Sequence, residues 1–151
     1  MKLIEQKTPP SVAQMDLLLE ADSDASKVQA YLKKSTLYVS DEGDGLVVAM
    51  PLDDDNLWEI KNIVLSEAAR GKGKGKKLLQ ASLQLLTAQG AQAVEIGTGN
   101  SSWHQLALYQ KMGFRIIAVW PNFFADYPEP IIENGIICRD MVRLRWTKTN
   151  I

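Results

Sequence analysis

The sequence predicts one mixed-sheet α/β domain, taken as residues 1–151, and three observations predict it. Two stretches with helical spacing open the chain. Short apolar runs joined by tight turns fill its middle. Helix and strand patterns then alternate to the end.

Residues 11–21 carry Met15, Leu18 and Leu19 at helical spacing after Pro9-Pro10, and residues 24–34 repeat the pattern with Val28, Tyr31 and Leu32. Both read as short amphipathic helices. Residues 36–40 and 46–52 are apolar runs separated by Asp41-Glu42-Gly43-Asp44-Gly45. Glycines and acids between two such runs spell a hairpin loop. Asp53-Asp54-Asp55-Asn56 marks the next turn. Residues 57–65 form a third strand, with Leu57, Glu59 and Lys61 on one parity and Trp58, Ile60 and Asn62 on the other. The middle of the chain is thus an antiparallel meander.

A glycine-lysine run leads into a helix over residues 76–89, where Leu79, Leu83 and Leu86 share a face with Leu78 and Leu85 beside them. Gly90 is placed to end it. Residues 93–96 form a short buried strand closed by Gly97-Thr98-Gly99-Asn100. Ser101 or Ser102 caps a helix reaching Met112, and Gly113 stops it. A strand over 114–120, a loop with three prolines over 121–135, and a last strand over 136–146 complete the chain.

Composition excludes several classes. Seventeen basic residues against 18 acidic give a net charge of −1, so the molecule as a whole carries no nucleic-acid or membrane signature. The single cysteine, Cys138, allows no intramolecular disulfide. One His and one Cys are too few soft ligands for a metal site. The first residues lack the apolar stretch of a signal peptide, and no window approaches the roughly 20 apolar residues of a membrane span. The expectation is a soluble cytoplasmic protein.

The chemistry concentrates in Arg70-Gly71-Lys72-Gly73-Lys74-Gly75-Lys76, between a strand and a helix. Glycines this close leave the backbone uncovered, so successive N–H groups can form an anion nest. The helix that follows adds its positive end, and the cations surround it. A phosphate or pyrophosphate suits such a loop. The spacing fits neither the P-loop nor the dinucleotide fingerprint. A solvated basic turn, or a module gripping nucleic-acid phosphates through residues 70–77, is the alternative.

Two motifs resemble the GCN5-related N-acetyltransferase (GNAT) family. The family's Arg/Gln-x-x-Gly-x-Gly/Ala is matched by Arg70-Gly71-Lys72-Gly73-Lys74-Gly75, and its Leu-Tyr-x-x-x-Gly-Phe by Leu108-Tyr109-Gln110-Lys111-Met112-Gly113-Phe114. One short strand separates them, as in the family. The resemblance implies an α+β fold with a mixed, largely antiparallel sheet, splayed into a V and flanked by helices. It implies acetyl-CoA as cosubstrate, with the pyrophosphate on the amides of Gly71, Lys72, Gly73, Lys74, Gly75 and Lys76, beside Arg70. The pantetheine arm would run along Ile63, Val64 and Leu65. Homodimers are common in the family. A degenerate domain that only senses acyl-CoA is a second reading.

Attack of an amine on a thioester needs a deprotonated amine, a polarised carbonyl and a proton for the thiolate. By resemblance Tyr109 is the general acid; an ordinary phenol, with a pKa of about 10, is protonated at neutral pH. Glu59, eleven residues before Arg70, is the candidate base by the same resemblance. Asn100 falls near where the family contacts cofactor, although a cap or turn role comes first. Ser102 and Gln105 stand where many members have Asn and Ala. His104 reads as packing or surface, and Cys138 as a buried thiol. Asp126, Glu129 and Glu133 in the aromatic loop after Trp120 would attract a cationic amine. The acceptor is expected among aminoglycoside-like or polyamine-like amines and peptide amines.

Overall fold

Seven strands form one sheet, whose order from edge to edge, counted along the chain, is first, second, third, fourth, fifth, ninth and sixth. The computed structural model describes residues 1–52 and 56–149; the turn expected at Asp53-Asp54-Asp55 lies outside them. The elements are β1 (Leu3–Gln6), α1 (Val12–Ala21), α2 (Ala25–Leu32), β2 (Thr36–Ser40), β3 (Gly45–Pro51) and β4 (Leu57–Leu65). There follow α3 (Lys74–Ala88), β5 (Ala93–Gly99), α4 (Trp103–Lys111) and β6 (Arg115–Trp120). A two-residue hairpin, β7 (Ile132–Glu133) and β8 (Ile136–Ile137), precedes β9 (Met141–Thr147). Every pairing in the large sheet is antiparallel except β4 with β5.

Each face of the sheet is covered by helices. Leu78, Leu79, Leu83 and Leu86 of α3 pack on Val47, Ala49, Ile60, Val94, Ile96 and Leu144. Leu18 of α1 and Val28 of α2 pack on Leu37, Leu46, Val48 and Val64 on the other face. Each fully buried leucine, isoleucine or valine among them contributes about 1.5–3 kcal/mol of transfer free energy. Local signals set the first two helices. Ser11 accepts from the Gln14 amide and the Gln14 side chain answers on the Ser11 amide, a capping box. Asp24 caps α2 through the amides of Ser26 and Lys27.

Four expectations change. Strand β1 was not anticipated; four residues gain strand structure only by pairing with β2. Helix α3 starts at Lys74 instead of residue 76. Strand β5 runs on through Gly97, Thr98 and Gly99, which pair with Arg143, Val142 and Met141. Those glycines are close-approach positions rather than a turn: a Cβ at Gly97 would lie 2.6 Å from Arg143 Nη1, and one at Gly99 would overlap Cys138 Sγ. The last strand is broken into β8 and β9 because Asn100 Oδ1 accepts from the amides of Arg139 (2.8 Å) and Asp140 (3.0 Å), taking both out of the ladder.

The V opens between β4 and β5. They pair only from Leu57↔Ala93 to Ile60↔Ile96. At that point β4 carries a bulge: Ala49 opposes Ile60 and Val48 opposes Asn62, leaving Lys61 as the extra residue. The bulge inverts the parity read from the sequence. Ile60 packs with the α3 core while Val64 packs with the α1 and α2 core.

Candidate active site

Three cavities run in series along the parted edge of β4. The first, of about 360 Å³, is bounded by Ile63, Val64 and Leu65, by Gly75, Leu78 and Leu79 of α3, and by Leu108 and Tyr109 of α4. The second, of about 380 Å³, fills the mouth of the V between Ile60 and Gly97. The third, of about 420 Å³, is walled by Tyr31, Glu59, Trp120, Phe123, Tyr127 and Arg143. Ile63, Gln105 and Tyr109 line both the first and the second. Asp22, Lys61, Tyr127 and Met141 line both the second and the third.

The glycine-lysine loop lies at the first cavity, which Arg70 and Gly75 line. Gly71 (φ 78°) and Gly73 (φ 74°) are left-handed, and a Cβ at either would meet nothing. Backbone conformation, not crowding, therefore selects glycine here. Gly73 is the N-cap of α3 and offers no side chain to its amides. Lys77 N–H, bonded to Gly73 O at 3.4 Å, makes the first main-chain bond of the helix. The amides of Gly71 through Lys76 find no main-chain acceptor among the described residues. This run of free donors at a helix N-terminus fits a diphosphate.

The side chains around the loop do less than their charge suggests. Arg70 donates to Leu65 O (3.1 and 2.9 Å) and to Glu20 Oε2 (2.6 Å), tying α1 to the end of β4. Lys74 Nζ is held by Asp44 (2.8 Å) and Glu42 (3.1 Å) of the β2–β3 hairpin. Lys72, Lys76 and Lys77 are exposed.

The second motif has a physical explanation. Gly113 (φ 99°) is the left-handed residue after α4, and Phe114 N–H reaches back to Tyr109 O at 2.9 Å. In such a cap the residue after the glycine packs on the one whose carbonyl it bonds; here the Tyr109 and Phe114 ring centroids are 5.8 Å apart. The Tyr-x-x-x-Gly-Phe spacing therefore locks the Tyr109 ring. Burial pushes its hydroxyl well above the ordinary phenol value, so it stays protonated. Among the described residues that hydroxyl has no hydrogen-bond partner.

Glu59, expected as a base, is buried at the wall of the third cavity. Its Oε2 accepts from Arg143 Nη1 at 3.0 Å and Lys61 Nζ at 3.4 Å. Its Oε1 has no partner among the described residues. Arg143 also bridges to Glu95 and lies 4.5 Å from the Trp120 ring centroid. Asn100 lines none of these three cavities; its side chain is committed to residues 137–140. Asp126 is exposed and paired with Lys27 at 3.2 Å, and Glu129 is exposed; neither lines any of these three cavities. Glu133 does line the second, where it accepts from Ser102 (3.0 Å) and Ser101 (3.4 Å). Ser102 thus holds the N-cap position of α4 with its hydroxyl spent elsewhere. Cys138 is buried, and desolvation pushes its thiol up, away from the nucleophilic thiolate. Sequence reasoning missed Asp22, Asn62 and Arg143. Only Asp22, in the polar break between two helices, carried any signal. No helix among the described residues is long and apolar enough to cross a membrane, and no cluster of three metal-ligating side chains occurs among them.

The sequence model of the acetyltransferase (GNAT) family matches residues 13–114. The uncharacterized N-acetyltransferase YvbK of Bacillus subtilis (strain 168) is 47% identical over 132 residues, 85% of each chain. A solved Bacillus subtilis acetyltransferase in complex with CoA superposes with a TM-score of 0.88 at 41% identity, covering 98% of this chain and 99% of that one. A GNAT family acetyltransferase from Elizabethkingia anophelis with acetyl-CoA bound gives 0.87 at 39% identity, covering 97% of both. The family match ends at Phe114, so Trp120, Phe123, Tyr127, Glu133 and Arg143 lie beyond it.

Proposed function

The chain belongs to the GNAT acetyltransferase family, and from that premise we propose that it moves an acetyl group from acetyl-CoA to a primary amine of a small molecule or peptide. Transfer is by direct attack in a ternary complex. The observation that carries this reading is the run of unpaired amides from Gly71 to Lys76, opening on a cavity that ends at Tyr109. The cosubstrate supplies an acyl thioester, an already activated acetyl group.

The chain's own residues divide the remaining work. The amides of residues 71–76 hold the diphosphate, and the parted edge of β4 at Ile63, Val64 and Leu65 guides the arm toward the V. Tyr109, kept protonated by burial, donates its proton to the departing sulfur. Glu59 takes the amine's proton, directly or through water, using the Oε1 that its partners leave free. Asn100 supports the cleft from behind by shaping residues 137–140.

Calorimetry tests the cofactor half. Wild type should bind acetyl-CoA in the micromolar range and ignore ATP and NAD. Gly73→Glu fills the nest and places a charge against the diphosphate; losing several charge-assisted bonds should weaken binding about 10–100-fold. A folded wild type that binds no acetyl-CoA would sink the proposal. Binding without turnover of any amine would favour a sensor.

A further inference from the structure

The carboxylate at the meeting of the second and third cavities is Asp22, in the turn between α1 and α2. Its Oδ1 accepts from Tyr127 OH at 2.8 Å and from the Asp24 amide at 3.3 Å, and its Oδ2 accepts from Tyr31 OH at 3.3 Å. Two phenols hold it from separate segments, and no lysine or arginine bridges to it among the described residues. Burial, then the charge of Asp22, push both hydroxyls up and keep them protonated as donors. Asp22 is therefore a positioned negative charge with lone pairs to spare.

A second acceptor stands on the wall of the second cavity. Asn62 is 5% exposed. Its Nδ2 donates to Leu18 O (3.0 Å) and Tyr31 OH (2.9 Å), which sets the orientation of the amide. That leaves Oδ1 buried with no partner. A buried carbonyl oxygen without a donor is costly, and a ligand N–H would satisfy it. Asp22 and Asn62 are joined through Tyr31, so both acceptors belong to one network.

Resting on the acetyltransferase reading, we propose that Asp22 and Asn62 receive the acceptor's amino group, and that the acceptor is a monoamine whose body lies in the third cavity. A primary ammonium brings the charge and the three donors these two groups lack. Beyond it, Trp120, Phe123 and Tyr127 supply apolar faces. The charged lining among the described residues is Lys27, Lys34, Lys61 and Arg143 against Asp22 and Glu59. Lys27 is paired with Asp126, and Lys61 and Arg143 with Glu59; Asp22 is then the lining carboxylate without a cationic partner, and Lys34 the lining cation without an acidic one, among the described residues. A second positive charge on the acceptor finds no other unpaired carboxylate in that lining among the described residues and meets Lys34, which turns the choice away from the polyamine-like and aminoglycoside-like amines expected from the sequence.

The test is calorimetric titration of phenethylamine and spermidine into the full chain in the presence of CoA, with acetyl transfer measured alongside. Phenethylamine should bind, and its kcat/KM should exceed that of spermidine at least tenfold. Asp22→Asn should weaken phenethylamine binding at least tenfold and leave CoA affinity within twofold, which also reports an intact fold. Should that variant not fold, Tyr127→Phe, which removes one of the two hydroxyls holding Asp22, should change the phenethylamine Kd two- to fivefold. Unchanged amine binding in the variant that folds overturns the inference, as does a preference for spermidine. A wild type that binds no CoA and acetylates neither amine instead overturns the acetyltransferase reading, and this inference with it.

Discussion

The two ends of the cavity series are built differently. On the proposed reading, the cofactor end uses backbone: free amides at the start of α3 and the parted edge of β4, both from residues 63–76, with Tyr109 locked by its own helix cap. The proposed acceptor end would use side chains gathered from Asp22, Tyr31, Glu59, Asn62, Trp120, Tyr127 and Arg143, which line the second and third cavities. A diphosphate is the same in every reaction that uses it, so its site can be written in a short local motif. An acceptor differs from enzyme to enzyme, and its site depends on where remote segments meet.

The largest effect expected of a single side chain tests the joint between the halves. Tyr109→Phe keeps the ring that packs on Phe114 and removes the proton donor. Its kcat should fall by about 10²–10⁴, with acetyl-CoA affinity within about twofold by calorimetry. A loss of affinity instead would mean Tyr109 is a binding residue. Next is the buried ion pair of the acceptor end. Glu59→Leu leaves Arg143 buried with Glu95 alone and should cost about 3 kcal/mol in denaturant unfolding. The double variant with Arg143→Met should recover at least about 1 kcal/mol of it, because no buried charge is stranded.

The smallest effect sits on the cofactor end. The Lys74 ammonium and the Ser40 hydroxyl hold the Asp44 carboxyl below its ordinary value of 3.8. Stability from a lowered folded pKa is fully present above 3.8 and is lost as pH falls through the folded value. The Tm gap between wild type and Asp44→Asn should therefore shrink as pH drops from about 5 to about 2, and shrink at neutral pH in high salt. A gap independent of both would show that packing, not charge, holds the hairpin to α3.

Sequence reasoning was strongest where the chain is local. The hairpin at Asp41-Glu42-Gly43-Asp44-Gly45, the leucine face of α3 and the stops at Gly90 and Gly113 all depend on neighbours within a few residues. Reasoning failed where meaning came from across the sheet. Gly97 and Gly99 look like a turn until Arg143 and Cys138 are placed against them. Glu59 is, in sequence, a strand acid on the parity of Lys61 and a candidate base, and nothing local shows that Arg143 reaches it across 84 positions. Asp126 and Glu129 look like the amine's counter-charge, whereas Lys27 pairs with Asp126 and neither lines any of the three cavities.

By itself the sequence determined the main elements from α1 onward, the left-handed glycines at 71 and 73 and the cap that locks Tyr109, because backbone conformation and helix capping are set by residues a few positions apart. Tertiary structure alone decided the far side. The bulge at Lys61 turns β4 over, and which side chains then share a cavity is a property of strand register and remote packing. No local spacing encodes it.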